Sequence, residues 1–254
     1  MDYICLAAGK GTRFGELGRY LQKCMYPVGL EPFVALSVKN LLRSANSNQT
    51  RDNDSHSEHA PSSPDRLSFV IGYHGEQVQR YFGDSYLGLP VQYIRQEQQL
   101  GTAHAIYTAY QALQPQSSVI IWLADLYVPA ALFQQLLEHP APNVQTVAPA
   151  APGEKDDLRV SIAGDSIRQT WRGDSALYDI GLWKLTPEVL AQTMARRDGE
   201  YRILPNLQQA LEQGHRFGYV QAGEWLHLGG VNPSPEANVQ QVLRRIAQLE
   251  ATSA

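Results

Sequence analysis

The sequence predicts an α/β fold, a three-layer α/β/α sandwich around a mostly parallel mixed sheet. Three observations lead there. Short, nearly all-apolar runs such as "YICL" and "VIIWL" read as strands buried on both faces. These runs alternate with longer segments of helical pattern, the order of a sheet with helices on both faces. The first run also ends in a glycine-rich turn, "LAAGKGTRFGEL".

In chain order, "DYICLAAG" is the first strand, entering that turn. "PFVALSVKNLLRSA" follows as a helix, with Val34, Leu36, Val38, Leu41 and Leu42 as its apolar residues. Residues 44–66 then carry almost no large apolar side chain, too little burial to offset the entropy of ordering. They are expected to form a mobile surface insertion within a single domain spanning 1–254. "LSFVIGY" is a strand, "GEQVQRYFGD" a helix, "PVQYIRQ" a strand, "GTAHAIYTAYQAL" a helix and "SVIIWLAD" a strand. Beyond about residue 145 the pattern loosens into strands at "VQTVAPA", "LRVSIAG", "SIRQTWR" and "LYDIGLWKL". Helices are expected at "TPEVLAQTMA" and "LPNLQQALEQG", a strand at "FGYVQAGEWLHL", and an amphipathic helix at "SPEANVQQVLRRIAQLEA".

Composition excludes several classes. With 254 residues, 43% of them hydrophobic, the chain can bury a large core. A formal charge of −4 argues against a general nucleic-acid binder. Cys5 and Cys24 lack metal-ligand spacing and form no disulfide framework, which fits a reducing compartment. The N-terminus lacks a signal-peptide pattern, and no apolar run reaches the roughly 18–20 residues of a membrane span. The expectation is a cytoplasmic protein acting on small molecules, with no nucleic-acid or membrane partner and with homo-oligomer formation left open.

The glycine turn has three readings. A Walker loop fails, because Thr12 follows Gly11 where a lysine is required. A dinucleotide fingerprint fails at its third glycine, where Phe14 stands. A tight strand-to-helix turn without a ligand, its basic residues ordinary surface charge, stays open on the loop alone. "LAAGKGTRFGEL" together with "LQKCMYPVGLEPF" resembles the opening of the sugar-1-phosphate nucleotidyltransferases, matching L-A-A-G-x-G-T-R at every fixed position. Lys23, Pro27, Val28 and Pro32 continue the likeness, and Gln22 departs from it where proline is usual. "QEQQLGTAHAI", "WLAD" and "EWLHLGG" extend it in order along nearly the whole chain, the insertion apart.

The resemblance implies a Rossmann-like fold and a Mg²⁺-dependent enzyme that transfers a nucleotidyl group from an NTP to a sugar 1-phosphate, releasing pyrophosphate. It implies catalytic roles for Arg13, on the leaving pyrophosphate, and Lys23, on the reacting phosphates. The backbone of Gly9, Gly11 and Thr12 would surround phosphate oxygens. Ala7, Ala8, Gln96, Gly101 and Thr102 would hold the base, and the mixed donor and acceptor of a glutamine amide favours UTP or dTTP. Asp125, an acid ending a buried strand, is the expected metal ligand. For the second ligand the usual aspartate is replaced by His227. Either His227 or Asn232 serves, or Asp125 and the phosphates hold the ion and His227 contacts a phosphate.

On the acceptor side, Gly181 lies in the expected glycine-bearing strand. The Glu-Lys-Pro common in sugar-binding members is missing, Arg172 stands in as phosphate contact, and Glu200 binds a sugar hydroxyl or caps a helix. Two rivals therefore remain: a cytidylyltransferase for a non-sugar phosphate or phosphonate such as phosphocholine, and a catalytically weak nucleotide-binding regulator.

Overall fold

The computed structural model describes residues 1–52, 65–150, 158–192, 196–197, 200–229 and 235–252. Along the chain run β1 (Asp2–Ala7), α1 (Phe33–Asp52), β2 (Arg66–Ile71), α2 (Gly75–Phe82), β3 (Ser85–Tyr86), β4 (Leu89–Arg95) and α3 (Thr102–Leu113). Then come β5 (Val119–Leu123), α4 (Ala130–Glu138), β6 (Val144–Pro149), β7 (Arg159–Ala163), β8 (Ser166–Gln169) and β9 (Leu177–Leu185). The last elements are α5 (Pro187–Leu190), α6 (Ile203–Glu212), β10 (Gly218–Gln221) and α7 (Pro235–Thr252). The strands form one mixed sheet in the order β7-β8-β10-β6-β9-β5-β1-β2-β4-β3.

At its centre β4, β2, β1 and β5 are parallel, with Cys5 opposite Phe69 on one side and Trp122 on the other. β9 enters antiparallel to β5, pairing Trp183 with Ile121. Alternate residues of β1 feed two cores. Tyr3, Cys5 and Ala7 meet Val34, Val38 and Leu41 of α1, Val78 and Phe82 of α2, and Phe133 of α4. Ile4 and Leu6 face the other way, onto Ala105, Ile106 and Ala109 of α3 and Leu204 and Leu207 of α6. This is the three-layer sandwich, and it explains the continuous apolar strands, since both faces of each are covered.

Several boundaries differ from expectation. α1 continues to Asp52, so residues 44–52 of the expected insertion are helical; residues 53–64 lie outside the described part. The helix expected from "TPEVLAQTMA" is the single turn α5. "FGYVQAGEWLHL" divides into β10 and a short strand at Leu226–His227. α4 was not anticipated. Among the described residues no helix is long and apolar enough to cross a membrane.

A third, smaller cluster joins Phe14 of the glycine turn to Phe33 and Leu36 of α1, Leu228, and Val239, Val242 and Ile246 of α7. It seats α7 beside the turn, at the edge where the parallel strands end.

Candidate active site

The carboxyl ends of β1, β4 and β5 deliver the glycine turn, Gln96 and Asp125 to one cavity of about 1790 Å³. Open α/β sheets bind ligands at this edge, and the volume exceeds the roughly 300–1,000 Å³ of an ordinary small-molecule site, leaving room for two substrates.

In the turn, Gly11 holds φ 60°, a left-handed conformation that glycine adopts without strain. A Cβ at Gly9 would meet no protein atom, so the bare backbone there serves the cavity rather than the packing. Gly9, Lys10 and Thr12 are exposed to the cavity. Arg13 belongs to the 3-10 helix Thr12–Arg19, and its side chain lies outside the described ones.

Gln22 fastens the turn from behind. Its side-chain amide donates to the carbonyls of Ala7 at 2.6 Å, Gly9 at 3.1 Å and Tyr73 at 3.3 Å. Its own N–H donates to Gln77 Oε1 at 2.8 Å. The residue that breaks the family pattern is thus a buried bracket across three loops. Ala7 and Ala8 line the cavity with their carbonyls engaged, that of Ala8 by the N–H of Tyr73 at 3.4 Å.

Asp125 follows β5, and the next residues are clamped. Ser37 Oγ donates to the carbonyl of Leu126 at 2.7 Å and accepts from the N–H of Val128 at 3.0 Å. Leu126–Tyr127 pairs antiparallel with Leu226–His227, and the N–H of Leu228 donates to the carbonyl of Asp125 at 2.9 Å. Two distant segments therefore present their side chains together. Lys23 Nζ lies 2.5 Å from Asp125 Oδ2, and His227 Nε2 lies 3.0 Å from the same oxygen.

Lys23 and Asp125 are only 10% and 21% exposed. Surface pairs such as Arg95–Glu97, 62% and 76% exposed, contribute about 0–1 kcal/mol, whereas removing one partner of a buried pair costs about 3–5 kcal/mol. Burial alone would raise the Asp125 pKa. The charges of His227 and Lys23, with a hydrogen bond from each, outweigh it and hold the carboxyl well below its usual range. Such a concentration of charge at a cavity wall makes these residues candidates for a functional site. Gly229 makes the space: a Cβ there would collide with Lys23 Nζ.

Gln96 is buried, and its amide nitrogen donates to the carbonyl of Gly101 at 3.2 Å and to His104 Nδ1 at 2.8 Å. The donor expected for the base is therefore already used, and the amide oxygen remains. Thr102 opens α3 at the cavity wall. Gly101 has φ 124°, and a Cβ there would run into the backbone of Tyr201. Its glycine is required by this close approach.

On the acceptor side Gly181 lines the cavity at φ 92°, where a Cβ would strike Leu123. Asp179 supports this irregular stretch, accepting from the N–H of Gly181 at 2.9 Å, Gln145 Nε2 at 2.8 Å and Trp183 Nε1 at 2.8 Å. Burial pushes its carboxyl up to about 6 despite these bonds. Arg172 does not line the cavity; it is exposed, with its guanidinium 4.6 Å from the centre of the Trp171 ring. Trp171 lines the cavity instead, with Trp225 and Arg202. The backbone of Glu200 pairs with Arg197, and its side chain lies outside the described ones, as does the whole of Asn232. α7 contributes Gln241 and Arg244, which no sequence signal marked.

The glycine turn, the buried lysine and the carboxylate at a strand end meet on one cavity at the ligand-binding edge of an α/β sheet. The chain belongs to the MobA-like NTP transferase domain family, whose model matches residues 3–217. The bifunctional protein GlmU of Methanococcus maripaludis is 22% identical over 240 residues, covering 90% of this chain and 51% of that protein. The UTP–glucose-1-phosphate uridylyltransferase AglF of Haloferax volcanii is 30% identical over 108 residues, 42% of this chain and 37% of that one. The chain thus spans about half, or less, of the length of these relatives. A solved UDP-glucose pyrophosphorylase in complex with UDP-glucose superposes with a TM-score of 0.73 at 20% identity, covering 96% of this chain and 98% of that one. The fold is therefore that of a nucleotidyltransferase.

Proposed function

We propose that the protein transfers a nucleotidyl group from UTP or dTTP to a sugar 1-phosphate, giving an NDP-sugar and pyrophosphate. The observation that carries this is the meeting of Lys23 and Asp125 with the open backbone of Gly9–Thr12 on one cavity large enough for both substrates. The one relative named for uridylyl transfer and the UDP-glucose-bound structure support the choice of substrates.

In this reaction an oxygen of the acceptor phosphate attacks the α-phosphorus while the bond to the β-phosphate oxygen breaks. Both substrates are anions, so catalysis is positioning and charge stabilisation. The turn's N–H groups hold the triphosphate. The Lys23 ammonium neutralises charge at the reacting phosphates, and Arg13 does so on the leaving pyrophosphate. The Gln96 amide oxygen accepts from the imide N–H of uracil or thymine; cytosine carries an acceptor at that ring position. The family resemblance implies Mg²⁺ here. Asp125 suits that ion, but the imidazole of His227 does not, and no group of three ligating side chains is present among the described residues.

One observation favours a non-sugar acceptor as second reading: Arg172 lies off the cavity and Trp171 and Trp225 line it. Pyrophosphate release, with five NTPs crossed against sugar 1-phosphates, phosphocholine and aminoethylphosphonate, tests both. Release needing UTP or dTTP and a sugar phosphate, lost in Lys23→Ala and Asp125→Ala, supports the first. Release only with a non-sugar acceptor moves the enzyme to the second. Nucleotide binding without release from any pair supports a regulator.

A further inference from the structure

We infer that His104 is a positioning residue for base selection: it holds the Gln96 side-chain amide with its oxygen toward the cavity, so that uracil or thymine is favoured over cytosine. This rests on the base-reading role proposed above for Gln96.

Three features carry it. First, both hydrogens of the amide nitrogen are engaged. One goes to the carbonyl of Gly101 at 3.2 Å and the other to His104 Nδ1 at 2.8 Å. A carbonyl can only accept, so the nitrogen faces the first turn of α3 and the oxygen is left for a ligand. His104 Nδ1 then accepts as well, which puts the ring hydrogen on Nε2. Second, the bond to the histidine is the shorter of the two. The Gly101 carbonyl already accepts from the N–H of Ala105 at 3.1 Å, at the start of α3. Without an acceptor at residue 104 one amide hydrogen loses its partner, and a turned amide that offers N–H to the cavity becomes competitive. Third, the backbone of Gln96 is pinned. The residue is only 3% exposed at the cavity wall; its N–H donates to the carbonyl of Ile71 at 2.8 Å, and its own carbonyl accepts from Gln99 Nε2 at 3.1 Å. The direction of the amide therefore decides the base. Its oxygen accepts from the ring N–H of uracil or thymine and repels the bare ring nitrogen that cytosine carries there.

Two readouts on the full chain test this. In ¹⁵N-histidine NMR of the UTP-bound protein, the His104 ring is expected to show a bare Nδ1 and a hydrogen on Nε2. A hydrogen on Nδ1 overturns the inference, and this arm needs no variant. Calorimetric titration with UTP and with CTP then gives the ratio of the two affinities. His104→Leu offers no acceptor, and its preference for UTP is expected to fall about 10-fold, the weight of one hydrogen bond. His104→Asp places a carboxylate oxygen as far along the side chain as Nδ1, in a first helical turn that favours an acid, and is expected to keep the preference. A folded His104→Leu with the wild-type ratio overturns the inference. So does an equal loss in both variants, which would mark a structural role for the imidazole. A wild type that binds CTP as tightly as UTP overturns it by removing the base reading it rests on. Preference for UTP, lost in His104→Leu and kept in His104→Asp, in a protein that releases pyrophosphate from no substrate pair upholds the positioning role while the proposed transfer fails.

Discussion

The side-chain amide of Gln22 donates to the carbonyl of Ala7 across 2.6 Å, fixing the last residue of β1 to the segment that carries Lys23. Gln22→Ala removes this bracket and leaves buried carbonyls unpaired, at about 1–3 kcal/mol. Gln22→Glu sets a carboxylate against the same oxygens and is expected to cost more. In both, kcat/KM for the nucleotide falls about 10-fold or more, because the turn no longer sits where the phosphates need it. Urea melts and steady-state kinetics on the two variants check the order.

Gly229→Ala acts through Lys23. The new Cβ collides with the far end of that side chain, which must move, and its buried contact with Asp125 is lost. Turnover is expected to fall about 100-fold, as when a preorganised charge-stabilising group is removed, and stability by up to about 3–5 kcal/mol, the cost of breaking a buried pair. Steady-state kinetics and urea melts check both; unchanged turnover and stability in Gly229→Ala would show that Lys23 is not displaced.

Asp179 gives stability a pH dependence of definite sign. Its folded pKa is raised to about 6 from 3.8, so the folded state keeps a proton that the unfolded chain has already released. Its contribution is greatest below pH 3.8 and is lost as pH rises through about 6, by up to ~3 kcal/mol. The unfolding free energy of wild type relative to Asp179→Asn should therefore decline between pH 4 and pH 7. Denaturant melts of both proteins across that range give the slope.

Gly101→Ala is expected to destabilise by about 2 kcal/mol or more, from the positive φ together with the clash against the Tyr201 backbone. The loss should appear in the melt of the ligand-free protein. A change confined to nucleotide KM would instead mean that Gly101 acts through the base.

Much of the site was legible because its signals are local. β1 and β5 are unbroken apolar runs, and the acid ending β5 had to find partners; Lys23 and His227 supply them. What stayed hidden depends on contacts between distant segments. α4 has only nine residues after Pro129, too short for its period to stand out. Helix α1 outlasts its apolar stripe, so composition placed its end seven residues early. Arg172 is turned away by its φ of 55° and by stacking on Trp171, neither of which is visible in "TWRGD". Gln22 read only as a departure from a pattern, because its worth lies in carbonyls up to 51 residues away.

The small cluster uniting Phe14 with Val239, Val242 and Ile246 shares no residue with the two cores of the sheet. The turn and α7 are thus joined by a small apolar seam of their own rather than by the sheet's cores. Segments held by few buried apolar contacts open locally at lower cost than the central strands. Amide hydrogens of the Thr12–Arg19 turn and of α7 should exchange together, and well before those of β1 and β5.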